Sequence, residues 1–258
     1  MYKNTNSICI VLILIKFFMK KIISMLLFCL IAGFINAQTV SESKQQWDYP
    51  IKPGSVKWAS FATGQQMRDA CQIPPYILES LSTKDLVAIC LNYPLWIDFV
   101  LSNDERKGIS NIIKGFNGLS ELSKRKNCMQ ELINVYKNYP VFSEIPEKSS
   151  KNYTAPLKQA FLELILSDDL FSKHLDEQLA AELGKIVLRK YGEKVNNMEV
   201  YSLFLIKKSI LLGAVIMDIQ NRPSISSEKK KTIKRFIENY SNLDSELLSE
   251  TSKIIIEL

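Results

Sequence analysis

Residues Met198–Ile219, with the sequence MEVYSLFLIKKSILLGAVIMDI, are apolar on nearly every side of a helix. Lys207 and Lys208 interrupt this apolar surface. A helix that is apolar all round is normally buried among other helices. The segment therefore predicts a central buried helix with one solvent-exposed edge at the two lysines, ended by Arg222-Pro223.

Helical spacing continues on both sides of this segment. Apolar residues three or four positions apart precede Pro94 and Pro140, and comparable stripes follow later in the chain. The predicted boundaries are a start at Thr154 with Pro156 in the first turn, an end at Gly192, a helix from Ser226 or Ser227 to Tyr240, and a last helix from Asp244 or Ser245. No segment alternates with period two, as strands do. The sequence predicts an all-α fold with about nine or ten helices after residue 66, paired as antiparallel hairpins.

A weak internal repeat suggests how the helices are arranged. Leu86–Trp96 aligns without gaps on Leu132–Phe142, and both copies contain Leu and Asn-Tyr-Pro at an offset of 46 residues. Tyrosines 93, 139, 191 and 240 follow at similar intervals. A period of this length is typical of HEAT or armadillo superhelices. A single irregular bundle, whose helices merely end in similar ways, is the other interpretation.

The N-terminus predicts export. Residues 1–37 contain four lysines and no acidic residue, and the apolar run Ile22–Ile35 follows Lys20-Lys21. This run is 14 residues long, which suits a signal peptide and is shorter than the roughly 20 residues that span a bilayer. We expect cleavage after Ala37, with residues 1–18 as a possible upstream extension before Met19. The mature protein would then be periplasmic, on the cell surface or extracellular.

The leader could also serve as a membrane anchor or a lipid-attachment site, but its residues disfavour both. An uncleaved anchor is disfavoured because Lys16, Lys20 and Lys21 would carry charge into the membrane. Lipid attachment at Cys29 is disfavoured because the preceding residue, Phe28, is large. We therefore expect no stable membrane span after cleavage.

Residues 38–66 differ from the helical remainder, 67–258. Pro50, Pro53 and Gly54 break any regular period, which predicts a mostly extended lead-in. Its aromatic residues are expected to dock it onto the helices, with a sugar-stacking platform as the alternative; they are Trp47, Tyr49, Trp58 and Phe61.

Charge argues against nucleic-acid binding. The whole chain carries 33 basic and 27 acidic residues, but without the four leader lysines the net charge falls to +2. Nucleic-acid binders usually carry a strong basic excess on one face. The most basic run, Glu228–Arg235, is interpreted as the solvated face of a helix whose other face is Ile233, Phe236, Ile237 and Tyr240.

Specific chemistries are also disfavoured. The chain has one histidine, His174, and neither a paired-His zinc motif nor a phosphate-binding glycine loop, so no metal or cofactor is expected. Asp168-Asp169, and the group Asp98, Asp104 and Glu105, are interpreted as helix-capping residues. The mature chain keeps an odd number of cysteines, Cys71, Cys90 and Cys128, which favours free thiols over a Cys71–Cys90 disulfide.

The segment Met67–Lys126 resembles a family of secreted, uncharacterised proteins of gut-type bacteria. The resemblance covers about a quarter of the chain and rests on Ala70–Pro74, Leu81–Thr83 with Leu86, Cys90–Leu95, Gly108 and Phe116–Leu119. It implies an exported helical protein and no assigned activity.

The expected function is a noncatalytic binding or scaffold module that recognises a protein or peptide in a groove between helices. Trp96 and Phe142, equivalent in the two best repeats, are its candidate binding residues if both are exposed. The alternative is an envelope-acting hydrolase that cleaves glycan or peptidoglycan with paired carboxylates in a concave pocket.

Overall fold

The computed structural model describes residues 47–140, 154–242 and 244–258, and the regular elements in these ranges are all helical, as predicted. The predicted signal peptide and residues 38–46 of the lead-in lie outside the described residues.

The helices follow one another with short connections. In chain order they are α1 Val56–Ala59, α2 Gly64–Ala70, α3 Pro75–Ser80, α4 Thr83–Leu91, a first 3-10 helix Trp96–Leu101, α5 Glu105–Gly115, α6 Asn117–Leu122, α7 Cys128–Asn138, α8 Thr154–Ser167, α9 Asp169–Ser172, α10 Glu177–Asn196, α11 Leu203–Gln220, α12 Ser227–Glu238, a second 3-10 helix Tyr240–Asn242 and α13 Ser245–Ile255. In the described ranges, eleven α-helices begin after residue 66, slightly more than expected. Extended residues such as Phe116 and Asp168 divide apolar stretches that the periodicity alone would join.

Helix α11 is central, as predicted, and packs most extensively against α8, α10, α12 and α13. It begins at Leu203 rather than Met198, because residues 197–202 form the turn that leads from α10 into α11. The predicted solvent-exposed edge is wrong. Lys208 is fully buried and Lys207 is largely so, because both ammonium groups pair with Glu105 of α5, at 2.8 and 3.6 Å.

Helix α10 does not end at Gly192, as the sequence predicted, but runs on to Asn196. The additional turn carries Lys194, whose buried ammonium lies 2.7 Å from a carboxylate oxygen of Glu163 in α8. Forming this ion pair requires helical backbone beyond Gly192. A tertiary contact therefore overrides the modest helix-breaking tendency of one glycine.

Hydrogen bonds join the two residues Gln72 and Ile73, which follow α2, to the junction of α5 and α6. The Asn117 side chain accepts from the Ile73 amide at 2.9 Å and donates to the Ile73 carbonyl at 2.7 Å. The Gln72 side chain donates to Gly115 O and accepts from Asn117 N, each at 3.0 Å. These bonds hold the segment that follows α2 against the junction of α5 and α6.

The two repeat segments correspond to α4 and α7, which pack against each other. Asn92 follows α4, and Asn138 is the last residue of α7. The side-chain amide of each donates to the carbonyl four residues earlier. Asn197 and Asn239 make the same bond after α10 and α12. The similarity thus includes a shared way of ending a helix, and a superhelix of stacked hairpins is not confirmed.

The described part of the lead-in, 47–66, lacks regular structure up to Ser55 and then contains α1 and the start of α2. Tyr49 is buried and donates its hydroxyl to Ile89 O at 3.0 Å, while Trp47 and Trp58 pack against the core from its edge. Trp47, Tyr49 and Trp58 therefore contact the helical core, while the ring of Phe61 lies 5.9 Å from that of Trp58.

Candidate binding site: a basic groove between two helices

One face of α12 forms a groove with the end of α11. The α12 residues concerned are spaced three or four apart, so they share one side of the helix. The groove has a volume of about 580 Å³ and is lined by Ser227, Lys230, Lys231, Ile233, Lys234, Arg235 and Glu238 of α12, with Met217, Asp218 and Asn221 from α11 and its end.

The local sequence explains how the groove residues are held. Ser226 caps α12 by accepting from Lys229 N at 3.3 Å. Ile233 and Phe236 are buried, as predicted, and anchor α12 to the core, and Ile233 also reaches the floor of the groove. Asn221, the one non-glycine residue with positive φ in the described ranges (φ 42°), turns the chain out of α11 toward α12. With its apolar side packed, α12 presents its lysines to solvent.

Most cations of the groove lack an acidic partner. Lys230 donates to Asn221 O at 3.4 Å. Lys231, Lys234 and Arg235 are exposed and make no ion pair with any residue that the structure describes. Four cations face two acids, Asp218 and Glu238, so the lining carries a net charge of +2. The groove is therefore suited to a ligand with several negative charges.

Of the predicted binding pair, Trp96 and Phe142, the structure describes Trp96. Trp96 is partly buried against α8, with its ring 6.0 Å from Phe161 in an edge-to-face contact and 5.6 Å from Lys158 Nζ. Phe142 lies outside the described residues. The contacts of Trp96 are those of a residue packed at the edge of the core.

A buried ion-pair cluster surrounds Glu163, which is fully inaccessible. Its carboxylate accepts from Lys194 at 2.7 and 2.9 Å, from the Tyr136 hydroxyl at 2.7 Å and from Ser209 Oγ at 2.8 Å. Burial lowers the pKa of Lys194 and raises that of Tyr136. Neither Glu163 nor Lys194 lines the groove between α11 and α12. The cluster joins α7, α8, α10 and α11 and has the features of a structural network.

A second pair, Glu105 with Lys208, lies beside Tyr240. Burial lowers the pKa of Lys208 to about 8. Among the residues that the structure describes, the buried Tyr240 hydroxyl has no hydrogen-bond partner, and Lys207 Nζ lies 4.0 Å from its ring centre. Like the Glu163 cluster, this pair joins distant segments of the chain.

An acidic cleft of about 270 Å³ bears on the alternative function, a hydrolase that uses paired carboxylates. Its lining includes Asp104, Asp168 and Asp169. Burial raises the pKa of Asp168; burial also acts on Asp104, but hydrogen bonds from Ser241 and Lys107 lower its pKa overall. Both carboxylates cap helices, because Asp104 accepts from Lys107 N at 3.1 Å and Asp168 from Leu170 N at 2.9 Å. Asp104 and Asp168 therefore have the capping role that the sequence predicted. The same prediction is wrong for Glu105, which pairs with Lys207 and Lys208, and for Asp98, which lies inside the first 3-10 helix and caps no described helix.

The remaining candidate groups have structural surroundings. His174 Nε2 lies 2.8 Å from Ser123 O. The three cysteines of the helical domain are free and buried, and burial raises the pKa of each thiol. Within the described ranges, no group of three or more potential ligands is placed to hold a metal ion.

The basic run on α12 was predicted to be a solvated face of a helix. The spacing of residues 227, 230, 231, 234, 235 and 238 is the sequence signal for the groove, because it places them on one side of a helix. The sequence does not show that another helix lies beside that side of α12.

No protein-family model, curated protein or solved structure matches this chain. In the part of the chain that the structure describes, no helix has both the length and the apolar character needed to cross a membrane.

Proposed function

We propose that this chain is an exported, noncatalytic binding module that captures an acidic segment of a partner protein in the groove between α11 and α12. The observation that carries the proposal is the set of exposed cations, Lys231, Lys234 and Arg235, which have no acidic partner in the described residues and border one groove. Export rests on the leader sequence, and the expected absence of nucleic acid among the partners rests on the net charge of +2 that remains without the leader lysines.

Charge and shape favour a protein segment over a uniform polyanion. Asp218 and Glu238 lie in the same groove and would repel a continuous phosphate backbone. Met217 and Ile233 are only 5% and 1% exposed and form the floor of the groove, over which a peptide can lie while its acids meet the lysines. The volume of about 580 Å³ lies in the range of ordinary ligand sites.

The test is a titration of the mature chain with a labelled peptide that is rich in glutamate and has leucine at every third or fourth position. We expect saturable binding that weakens as salt increases, because exposed charges are screened. A peptide with glutamine in place of glutamate should bind at least about ten-fold more weakly.

Matched triple variants distinguish the effect of the groove cations on binding from the effect of the protein's net charge. Reversal of Lys231, Lys234 and Arg235 to glutamate should abolish binding. Reversal of Lys57, Lys84 and Lys253, which are exposed but do not line the groove, makes the same charge change and should leave most of the affinity. Equal loss in both variants would contradict the proposal, as would binding of a DNA oligonucleotide or anionic vesicles as tight as that of the peptide.

A further inference from the structure

A second cleft lies in the N-terminal part of the described residues, where the first 3-10 helix packs against α5. The approach is close because Gly108 has no side chain; a Cβ atom there would lie 2.9 Å from Ser102 Cβ and 3.1 Å from the Phe99 backbone. The cleft has a volume of about 470 Å³ and is lined by Arg68, Tyr93, Asp98, Leu101, Ser102, Gly108, Asn111, Ile112 and Gly115.

Two opposite charges line this cleft without pairing. The Asp98 carboxylate makes no hydrogen bond or ion pair with any residue that the structure describes, although it is half-buried. Burial raises its pKa, and the Arg68 guanidinium partly counters that effect, so the two groups influence each other without contact. Arg68 itself is exposed and held by the Gln65 side chain at 2.9 and 3.2 Å.

Apolar groups complete the cleft. Leu101 is 81% exposed, and the nearly buried Ile112 and Tyr93 form the wall behind it. A half-buried carboxylate beside an apolar wall attracts a cationic ligand more strongly than a fully hydrated carboxylate does. The arrangement thus offers one site for a cation, one for an anion and one for an apolar group.

We propose that this cleft binds a small zwitterion of the amino-acid class with an apolar side chain. The ammonium group of the ligand pairs with Asp98, its carboxylate with Arg68, and its side chain covers Leu101 and Ile112. The site shares no lining residue with the groove between α11 and α12. Its ligand and its test are therefore independent of the proposed function.

Isothermal titration of the mature chain with three related probes tests the proposal. L-leucine has all three groups, isopentylamine lacks the carboxylate, and 4-methylpentanoate lacks the amine. We expect saturable binding of leucine, with each analogue at least about ten-fold weaker, because each loses one charge-assisted contact. Absence of saturable leucine binding at millimolar concentrations would overturn the proposal, as would an amine or an acid that binds as tightly as leucine.

Substitutions in the two cavities show where leucine binds. Asp98→Asn and Arg68→Gln should each weaken leucine binding by about ten-fold or more. Asp218→Asn and Arg235→Gln make the same changes in the other groove and should leave leucine binding unchanged. Circular dichroism establishes that each variant is folded before titration. Equal affinities for Asp98→Asn and Asp218→Asn would show that the cleft is not the binding site.

Discussion

Replacing Glu163 with glutamine should strongly destabilise the protein. Glutamine preserves the size of the side chain but removes the charge that faces Lys194, and the ammonium group of Lys194 has no access to water. Its other acceptor in the cluster is Leu205 O at 3.2 Å, which does not neutralise it. Breaking one side of a buried ion pair typically costs about 3–5 kcal/mol. The free energy of unfolding should fall by that amount, a large share of the roughly 5–15 kcal/mol of an ordinary domain.

Urea unfolding followed by far-UV circular dichroism measures this change. The control is Glu182→Gln, which removes the partner of Lys137 from an exposed pair with N–O separation 3.2 Å and should cost only about 0.2–1 kcal/mol. Added salt should reduce the control effect and leave the Glu163 effect unchanged, because a buried pair is poorly screened.

A double-variant cycle completes the test. Lys194→Met alone leaves a buried carboxylate, whereas Glu163→Gln with Lys194→Met leaves neither charge unpaired. The double variant should therefore be less destabilised than the sum of the single ones, by about 1–3 kcal/mol. The reasoning is refuted if Glu163→Gln costs no more than Glu182→Gln, or if the two single effects simply add.

Three other properties can be checked on the same protein. Gly108→Ala should lower the free energy of unfolding by about 1–3 kcal/mol because the new Cβ meets the Phe99 backbone. Gly192→Ala, where nothing lies within 4 Å, should raise it by about 0.5–1 kcal/mol, and equal urea midpoints for the two variants would contradict the packing. The pKa of Lys208 is lowered to about 8, so between this pH and the unfolded value of about 10.4 the unfolded chain holds more protons. Lys208 therefore makes unfolding free energy rise with pH across that window, and Lys208→Met should flatten the slope in urea titrations at several pH values; an unchanged slope would count against the assignment. The three cysteines are free and buried, so reductant should leave the melting temperature unchanged, and a thiol reagent should label them only on unfolding; a melting temperature lowered by reductant would reveal a disulfide.

Features that depend on neighbouring residues were predictable from the sequence. The helical period identified the helices themselves, and Ser226 and Asp244 cap α12 and α13 as their positions indicated. The buried face of α12 was also predicted, because Ile233 and Phe236 recur at helical spacing. These features follow from local geometry, in which a side chain meets residues three or four positions away.

Features that depend on distant residues were decided by tertiary structure. Lys208 was expected in solvent because lysine is polar, yet Glu105, 103 positions away, pairs with it in the core. Gly192 was expected to end its helix, yet the pair formed by Lys194 and Glu163 continues it. A buried charge is stable only beside its partner, and the sequence does not state which segments become neighbours.

The same distinction between local sequence and tertiary packing applies to the two candidate sites. The cations of α12 could be placed on one face by counting residues, but a groove exists only because the end of α11 lies beside that face. The cleft at Asp98 was not predicted at all, since Asp98 and Arg68 become neighbours only when the first 3-10 helix, α2 and α5 pack together. The sequence determined which side chains each helix presents, whereas packing determined which of them share a cavity, because a cavity requires surfaces from segments that are far apart in the chain.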